Sequence, residues 1–178
     1  MISTLLAIDT RSRTDAERTA NIYTWPAAAP ARAILAGTVD PLLFNVIGLA
    51  MDAEWIYVLG QIEVGTTYPY GVFRLARSGI NPSTPVVPEP VFVLGTSSPG
   101  TSVNMVVDDR TDARYLFFRA GGDIHVIEEP GGASRYLGLG VVLDGDSADR
   151  AMGRDPADGS LWFFSTQIDP AGSWYRLP

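Results

Sequence analysis

A recurring pair of strands constrains the fold of this chain more than any other feature. A short run of β-branched and aromatic residues is followed, after a turn or loop, by a second run of the same kind, and this happens four times. The first runs are residues 5–8, 55–58, 115–118 and 161–164, and the second are 21–25, 71–75, 123–127 and 173–177. Four matches of one type indicate a repeated unit of structure.

Two further strands complete the unit. One follows three of the pairs, at residues 33–37, 91–95 and 136–138, and another precedes three of them and ends in Asp52, Asp108 or Asp155. These aspartates are 56 and 47 residues apart, close to the period of a four-stranded propeller blade. The sequence therefore predicts one domain over residues 1–178, with units at about 1–37, 43–96, 103–140 and 150–178.

The composition agrees with an all-β fold. The chain has 178 residues, of which 46% are hydrophobic and 19% charged, and 13 Pro and 18 Gly interrupt it every few residues. Residues 13–20 have helix-forming side chains but no apolar face, so we interpret them as a loop. No helix is predicted.

Three segments of the chain resemble a known family of folds. The segments "GLAMD" to "GVFRLAR", "NMVVDD" to "DIHVIE" and "AMGRDPADGSLWFF" to "SWYRLP" are similar to blades of β-propellers of the YWTD, NHL and gluconolactonase-like kind. The similarity lies in the strand pattern, since the YWTD tetrapeptide is absent. The resemblance implies a propeller-like array of about four blades and implies no catalytic or ligand-binding residue. A β-sandwich, which also has short strands at regular spacing, is the alternative.

The order of strands bears on assembly. The first unit begins at its second strand and the last ends at its third, so the predicted array starts and ends in mid-blade. Incomplete blades are normally paired or covered. The array either closes as a small ring within one chain or completes a larger ring with another copy or a partner protein. We favour assembly, as a homo-oligomer or with a partner protein.

Charge and cysteine content exclude several functions. A net charge of −7 without any cluster of Arg argues against nucleic acid as a partner. Lysine and cysteine do not occur, which excludes Schiff-base, thiolate and cysteine-metal chemistry. No signal peptide or membrane span is evident, so we expect a soluble chain and predict no compartment.

The loop at residues 61–70 is the best candidate for ligand binding. Tyr68 and Tyr70, stiffened by Pro69, could with Arg74 stack a sugar or anchor a partner protein. The simpler interpretation is a hairpin loop whose tyrosines cover the edge of a blade, and base rates for loop aromatics favour it.

Two other candidates are weaker. Asp144, Asp146 and Asp149 suggest a calcium loop, but they depart from the EF-hand spacing, and a solvated acidic loop without a cofactor is favoured. His125 is the one histidine of the chain and lies in mid-strand without a nucleophile motif, so we interpret it as structural.

These observations favour a function in binding or assembly over catalysis. The first hypothesis is a structural or protein-interaction module built on a small propeller, completing its ring by oligomerisation. The alternative is a lectin-like propeller that binds glycans, and the third hypothesis is a propeller-fold hydrolase or lactonase with a metal.

Overall fold

Most of the part of the chain that the structure describes is β-strand. The computed structural model describes residues 5–9, 20–25, 34–39, 43–97, 105–108, 114–120, 123–129, 152–155, 157–165 and 171–177. Within these ranges there is one 3-10 turn, Arg77–Gly79, and no α-helix. The predicted all-β class is confirmed. No helical segment in the same ranges is long and apolar enough to cross a bilayer.

The described strands form four antiparallel sheets, and in each sheet neighbouring strands are consecutive in the chain. The first sheet contains β1 (Leu5–Asp9), β2 (Ala20–Trp25) and β3 (Ile34–Val39), and the second contains β4 (Leu43–Met51), β5 (Trp55–Ile62), β6 (Tyr70–Ala76) and β7 (Glu89–Gly95). The third contains β8 (Met105–Asp108), β9 (Arg114–Ala120) and β10 (Asp123–Glu129), and the fourth contains β11 (Met152–Arg154), β12 (Leu161–Ser165) and β13 (Ser173–Leu177).

The described strands of the four sheets lie within residues 5–39, 43–95, 105–129 and 152–177. The strand predicted at residues 136–138 lies outside the described residues. In the third sheet Asp108 lies opposite Tyr115, whereas in the fourth the backbone N–H of Asp155 donates to the carbonyl of Ser160 at 2.9 Å. Residues 160–163 therefore correspond to 115–118. The alignment of 161–164 with 115–118 was wrong by one residue, and such a shift exchanges the two faces of a strand.

The chain divides into two compact units. One consists of residues 1–46 and 53–97, and the other of residues 47–52 and 98–178. In the first unit β5 is buried on both faces from Ile56 to Gln61, as expected for a central strand whose sequence lacks alternation. In the second unit β9 alternates instead, with Leu116 and Phe118 fully buried and Tyr115 and Phe117 half-buried.

The third and fourth sheets pack face to face within the second unit. Their interface contains three buried residues of the fourth sheet, and Tyr175 and two residues of the third sheet pack against them. The first strands of the two sheets, β8 and β11, also lie in contact. The buried residues are Met152, Leu161 and Phe163, and those from the third sheet are Val106 and Phe117.

The connection between β6 and β7 lies against β3 in the first unit. Asn81 shapes this connection by accepting hydrogen bonds from the backbone N–H groups of Ser83 and Thr84 at 3.0 and 2.8 Å. Further along, Val86 pairs in parallel with Val39 and donates its N–H to the carbonyl of Thr38 at 2.7 Å.

Candidate binding surfaces

The predicted ligand loop between β5 and β6 is a short hydrogen-bonded hairpin. Val64 and Thr67 exchange backbone hydrogen bonds of 2.9 and 3.1 Å, and the Thr67 hydroxyl donates to the Val64 carbonyl at 2.9 Å. Gly65 adopts a φ of 61° at the tip, a conformation that glycine allows at little cost. The loop therefore presents an exposed Val64 on a well-bonded turn.

Gln61 fixes the base of this hairpin from inside the protein. Its side chain is buried, its amide nitrogen donates to the carbonyl of Tyr68 at 2.6 Å, and its oxygen accepts a hydrogen bond from the side chain of Asn45. Asn45 has a positive φ of 46°, which asparagine tolerates better than most residues. The buried Gln61 amide therefore stabilises the base of the hairpin.

The three residues predicted to bind a ligand have different environments. Tyr70 is buried at 8% exposure, and Tyr68 is half-buried. Arg74 donates from Nε to Glu89 at 2.9 Å, and its guanidinium lies 4.3 Å from the ring centroid of Trp55. Arg74 therefore links three strands of the second sheet, and Tyr68 is the more accessible of the two tyrosines.

The predicted calcium ligands Asp144, Asp146 and Asp149 lie outside the described residues. Elsewhere, in the part of the chain that the structure describes, His, Asp and Glu side chains do not form any group of three that could hold a metal ion.

The recurring aspartates have two structural roles. Asp52, whose side chain is 3% exposed, accepts from Arg114 Nε at 3.2 Å, and Asp108 accepts from Arg154 at 3.1 Å. Asp155 instead accepts from the backbone N–H of Ala157 at 2.9 Å, a contact typical of a turn. The Asp108 pair joins the third sheet to the fourth. The sequence did not predict either ion pair, because each arginine lies in the repeat that follows its aspartate. Local spacing does not indicate a contact between residues that far apart.

His125 packs against the aromatic strand of its own sheet. It lies directly opposite Phe118 in the β9–β10 pairing, and the two rings stack with centroids 4.9 Å apart and an interplanar angle of 11°. This packing is consistent with the structural interpretation of the histidine.

A second aromatic surface lies on the fourth sheet, on the face opposite its buried residues. It consists of Gly153, Trp162, Phe164, Trp174 and Arg176, and we call it the outer face. Phe164 and Trp174 are cross-strand neighbours with centroids 5.6 Å apart in an edge-on arrangement, and Trp174 is 54% exposed. The indole N–H of Trp162 donates to the hydroxyl of Ser160 at 2.9 Å.

A pair of charged side chains lies at the β13 side of the outer face. Arg176 lies opposite Trp162 and forms a 2.6 Å ion pair with Asp158, both side chains being about half exposed. The sequence did not reveal the outer face, because residues 161–164 are all apolar and do not show which of them point inward.

We compared the chain with protein-family models, with curated proteins and with solved structures, and found no match in any of the three.

Proposed function

We propose that this chain is a non-catalytic assembly module whose sheets are arranged like the blades of a propeller. The observation that carries the proposal is the packing of the third sheet on the fourth, where an apolar interface is joined by the Asp108–Arg154 ion pair. Sheets of this kind associate through complementary faces, and the same chemistry serves association between molecules.

The strand order supports a propeller over a β-sandwich. A propeller blade is an antiparallel sheet of consecutive strands, and neighbouring blades pack face to face. Each described sheet contains consecutive strands, and β8 and β11, the first strands of neighbouring sheets, lie in contact. A sandwich of the immunoglobulin type would distribute consecutive strands between two sheets.

Exposed apolar residues on the strands support a role in association. Large apolar side chains that are at least 40% exposed occur on three of the sheets. Such residues favour a contact surface when they lie together with other apolar side chains on a sheet. At the outer face the exposed Trp174 lies beside the half-buried Phe164. The residues on strands are Ile34, Leu35, Met51, Val93 and Trp174.

Sedimentation velocity over a wide range of protein concentration tests the proposal. We expect a species whose mass is a multiple of the 19.2 kDa chain and whose population rises with concentration. A mass of one chain at every concentration, with the protein folded by circular dichroism, would contradict an assembly function.

Glycan binding is the second candidate, and Trp174 is the observation that favours it. An exposed indole beside the polar pair Arg176 and Asp158 offers an apolar platform and hydrogen-bonding groups to a sugar ring. Screening on a glycan array, with Trp174→Ala as the comparison, tests this function. Binding that disappears in the variant supports it, and an array without signal in all glycan classes refutes it.

A further inference from the structure

We infer that part of the connection between β6 and β7 is an autoinhibitory strap. The strap consists of residues 80–88 and closes the edge of β3, and its release lets β3 pair with the β3 strand of a second copy of the chain. The inference rests on the proposed assembly function and concerns how that assembly is controlled. It follows from how the strap contacts β3, from how few bonds hold it there, and from what its removal exposes.

The strap lies where a further strand of the first sheet would lie. The strand order in that sheet is β1-β2-β3, so one edge of β3 pairs with β2 and the other faces away from the sheet. At this second edge Val86 pairs in parallel with Val39 and donates its N–H to the carbonyl of Thr38 at 2.7 Å. The two valines are buried, at 8% and 0% exposure. The edge of β3 therefore accepts a further strand, and the strap occupies one end of it.

Gly37 allows the start of the strap to approach β3 closely. A Cβ built on Gly37 would lie 2.9 Å from a methyl carbon of Ile80 and 3.1 Å from the backbone oxygen of Asn81. Glycine, which has no Cβ, is the residue that leaves room for the strap at this distance. One added methyl group at this position is therefore a means of displacing the strap.

Few bonds hold the strap on β3. Three of its nine residues are proline, which has no N–H group, so the strap cannot form a continuous ladder with the strand. Between residues that the structure describes, the Val86–Thr38 bond is the one backbone hydrogen bond that joins the strap to the strand. Residues 81–85 are exposed. Segments with so few buried contacts open while the rest of a domain stays folded.

The strap keeps its shape through local bonds of its own. The side-chain oxygen of Asn81 accepts from the backbone N–H groups of Ser83 and Thr84 at 3.0 and 2.8 Å, and its amide nitrogen donates to the carbonyl of Gly79 at 3.0 Å. Asn81 and Thr84 also form an antiparallel bridge. None of these bonds involves β3, so we expect the strap to leave the strand as one piece.

A second copy of β3 is the strand that fits the uncovered edge. No residue of β3 is charged, so an identical strand beside it brings no like charges together. Antiparallel pairing of a strand with its own copy is two-fold symmetric, and it would cover Ile34 and Leu35, which are 48% and 43% exposed. In such a pair the Ile34 end of one copy lies opposite the Val39 end of the other. The strap occupies the Val39 end and therefore prevents the pairing.

Gly37→Ala tests the inference by displacing the strap. The added methyl group overlaps with Ile80 and Asn81, and overpacking of this kind should raise the open population about tenfold. Trypsin measures the opening, because the chain has no lysine and Arg77 lies directly before the strap. We expect cleavage after Arg77 to be about tenfold faster than in the unmodified chain, and dimers, measured by sedimentation velocity, to form at a correspondingly lower concentration.

Two further variants control this experiment. Gly79→Ala adds the same methyl group beside the strap, where it meets no atom within 4 Å, and it should be cleaved and associate like the unmodified chain. Leu35→Glu, added to Gly37→Ala, places a charge in the pairing edge. It should abolish the additional association while cleavage after Arg77 stays fast. Circular dichroism verifies that each variant is folded.

A disulfide tests the same step in the opposite direction. The chain has no cysteine, so Val39→Cys combined with Val86→Cys gives a single intramolecular pair, at positions that lie side by side in the parallel pairing. In the oxidised variant, cleavage after Arg77 and dimer formation should both fall about tenfold, and a reductant should restore them. This variant provides the test if Gly37→Ala does not fold.

The outcomes separate the inference from the proposed function. If the unmodified chain associates and Gly37→Ala opens the strap without associating more strongly, the inference fails while the assembly function stands. A disulfide that forms and leaves association unchanged overturns the inference in the same way. If the unmodified chain is a single molecule at every concentration, the assembly function fails. The inference then stands if Gly37→Ala forms dimers that Leu35→Glu abolishes, and it fails if Gly37→Ala is also a single molecule.

Discussion

Replacement of Phe163 by alanine is expected to destabilise the second unit more than any exposed substitution. Phe163 is 3% exposed, lies opposite Met152 on β11, and stacks on Tyr175 with ring centroids 5.5 Å apart. The side chain belongs to the cluster that joins the third and fourth sheets. Its removal therefore weakens the fourth sheet and the interface at the same time.

The magnitude follows from burial. A buried Phe→Ala change removes the transfer free energy of the ring and leaves a cavity, a loss of about 3–5 kcal/mol in the free energy of unfolding. A domain of ordinary stability has about 5–15 kcal/mol in total, so the loss is a large fraction of it. For a chain of this length the same loss lowers the melting temperature by about 6–20 °C.

Urea unfolding followed by far-UV circular dichroism measures the effect. Phe163→Leu, which keeps most of the apolar volume, should lose clearly less stability than Phe163→Ala. Val87→Ala is the control, because its 66% exposed side chain contributes little to packing, and we expect a change within about 0.5 kcal/mol. If Phe163→Ala unfolds within about 1 kcal/mol of the unmodified chain, the face-to-face packing of the two sheets is refuted.

Three other predictions concern polar contacts and backbone space. Asp108→Asn should lower the free energy of unfolding by about 1–3 kcal/mol. A double-mutant cycle with Arg154→Gln should give a coupling energy above about 0.5 kcal/mol. Additive effects of the two substitutions would disprove an energetic role for the ion pair. Gly71→Ala should lower the melting temperature, because the new Cβ would lie 2.7 Å from a backbone oxygen of β7. Gly79→Ala is the control, because its Cβ would meet no atom within 4 Å and the melting temperature should not change. Equal melting temperatures for the two variants would contradict this packing. Gln61→Leu should lose about 1–3 kcal/mol in urea unfolding because it leaves the bond to the hairpin carbonyl unmade, and unchanged stability would show that this bond contributes nothing.

The sequence predicted the strands well because their signal is local. Runs of β-branched and aromatic residues between Gly, Pro and Asp indicate where a strand lies. All described strands overlap the predicted runs, although β4 begins earlier, at Leu43, and β5 continues further, to Ile62. The face that each strand buries was harder to predict. Residues 161–164 are apolar throughout, so the one-residue error in their alignment could be resolved only by the Asp155–Ser160 hydrogen bond.

The candidate site could not be predicted in full, because it depends on contacts between residues that lie far apart in the sequence. Tyr70 looks like an exposed loop residue in the sequence, but the buried amide of Gln61 holds the hairpin so that Tyr70 lies in the strand and faces the interior. Arg74 is bound by Glu89 and Trp55, one of them on each neighbouring strand. Trp174 became a candidate only when the pairing of β12 with β13 placed it beside Phe164 on the outer face.

The connection between β6 and β7 has a consequence for the behaviour of the protein in concentrated samples. A strand with free backbone groups at the edge of a sheet is a template for amyloid-like growth. The Val86–Thr38 hydrogen bond occupies one end of β3, while Ile34 and Leu35, at the other end, are 48% and 43% exposed. Fibril formation under stress should therefore begin at Ile34 and Leu35, and a charged residue at either position should delay it without disturbing the covered end.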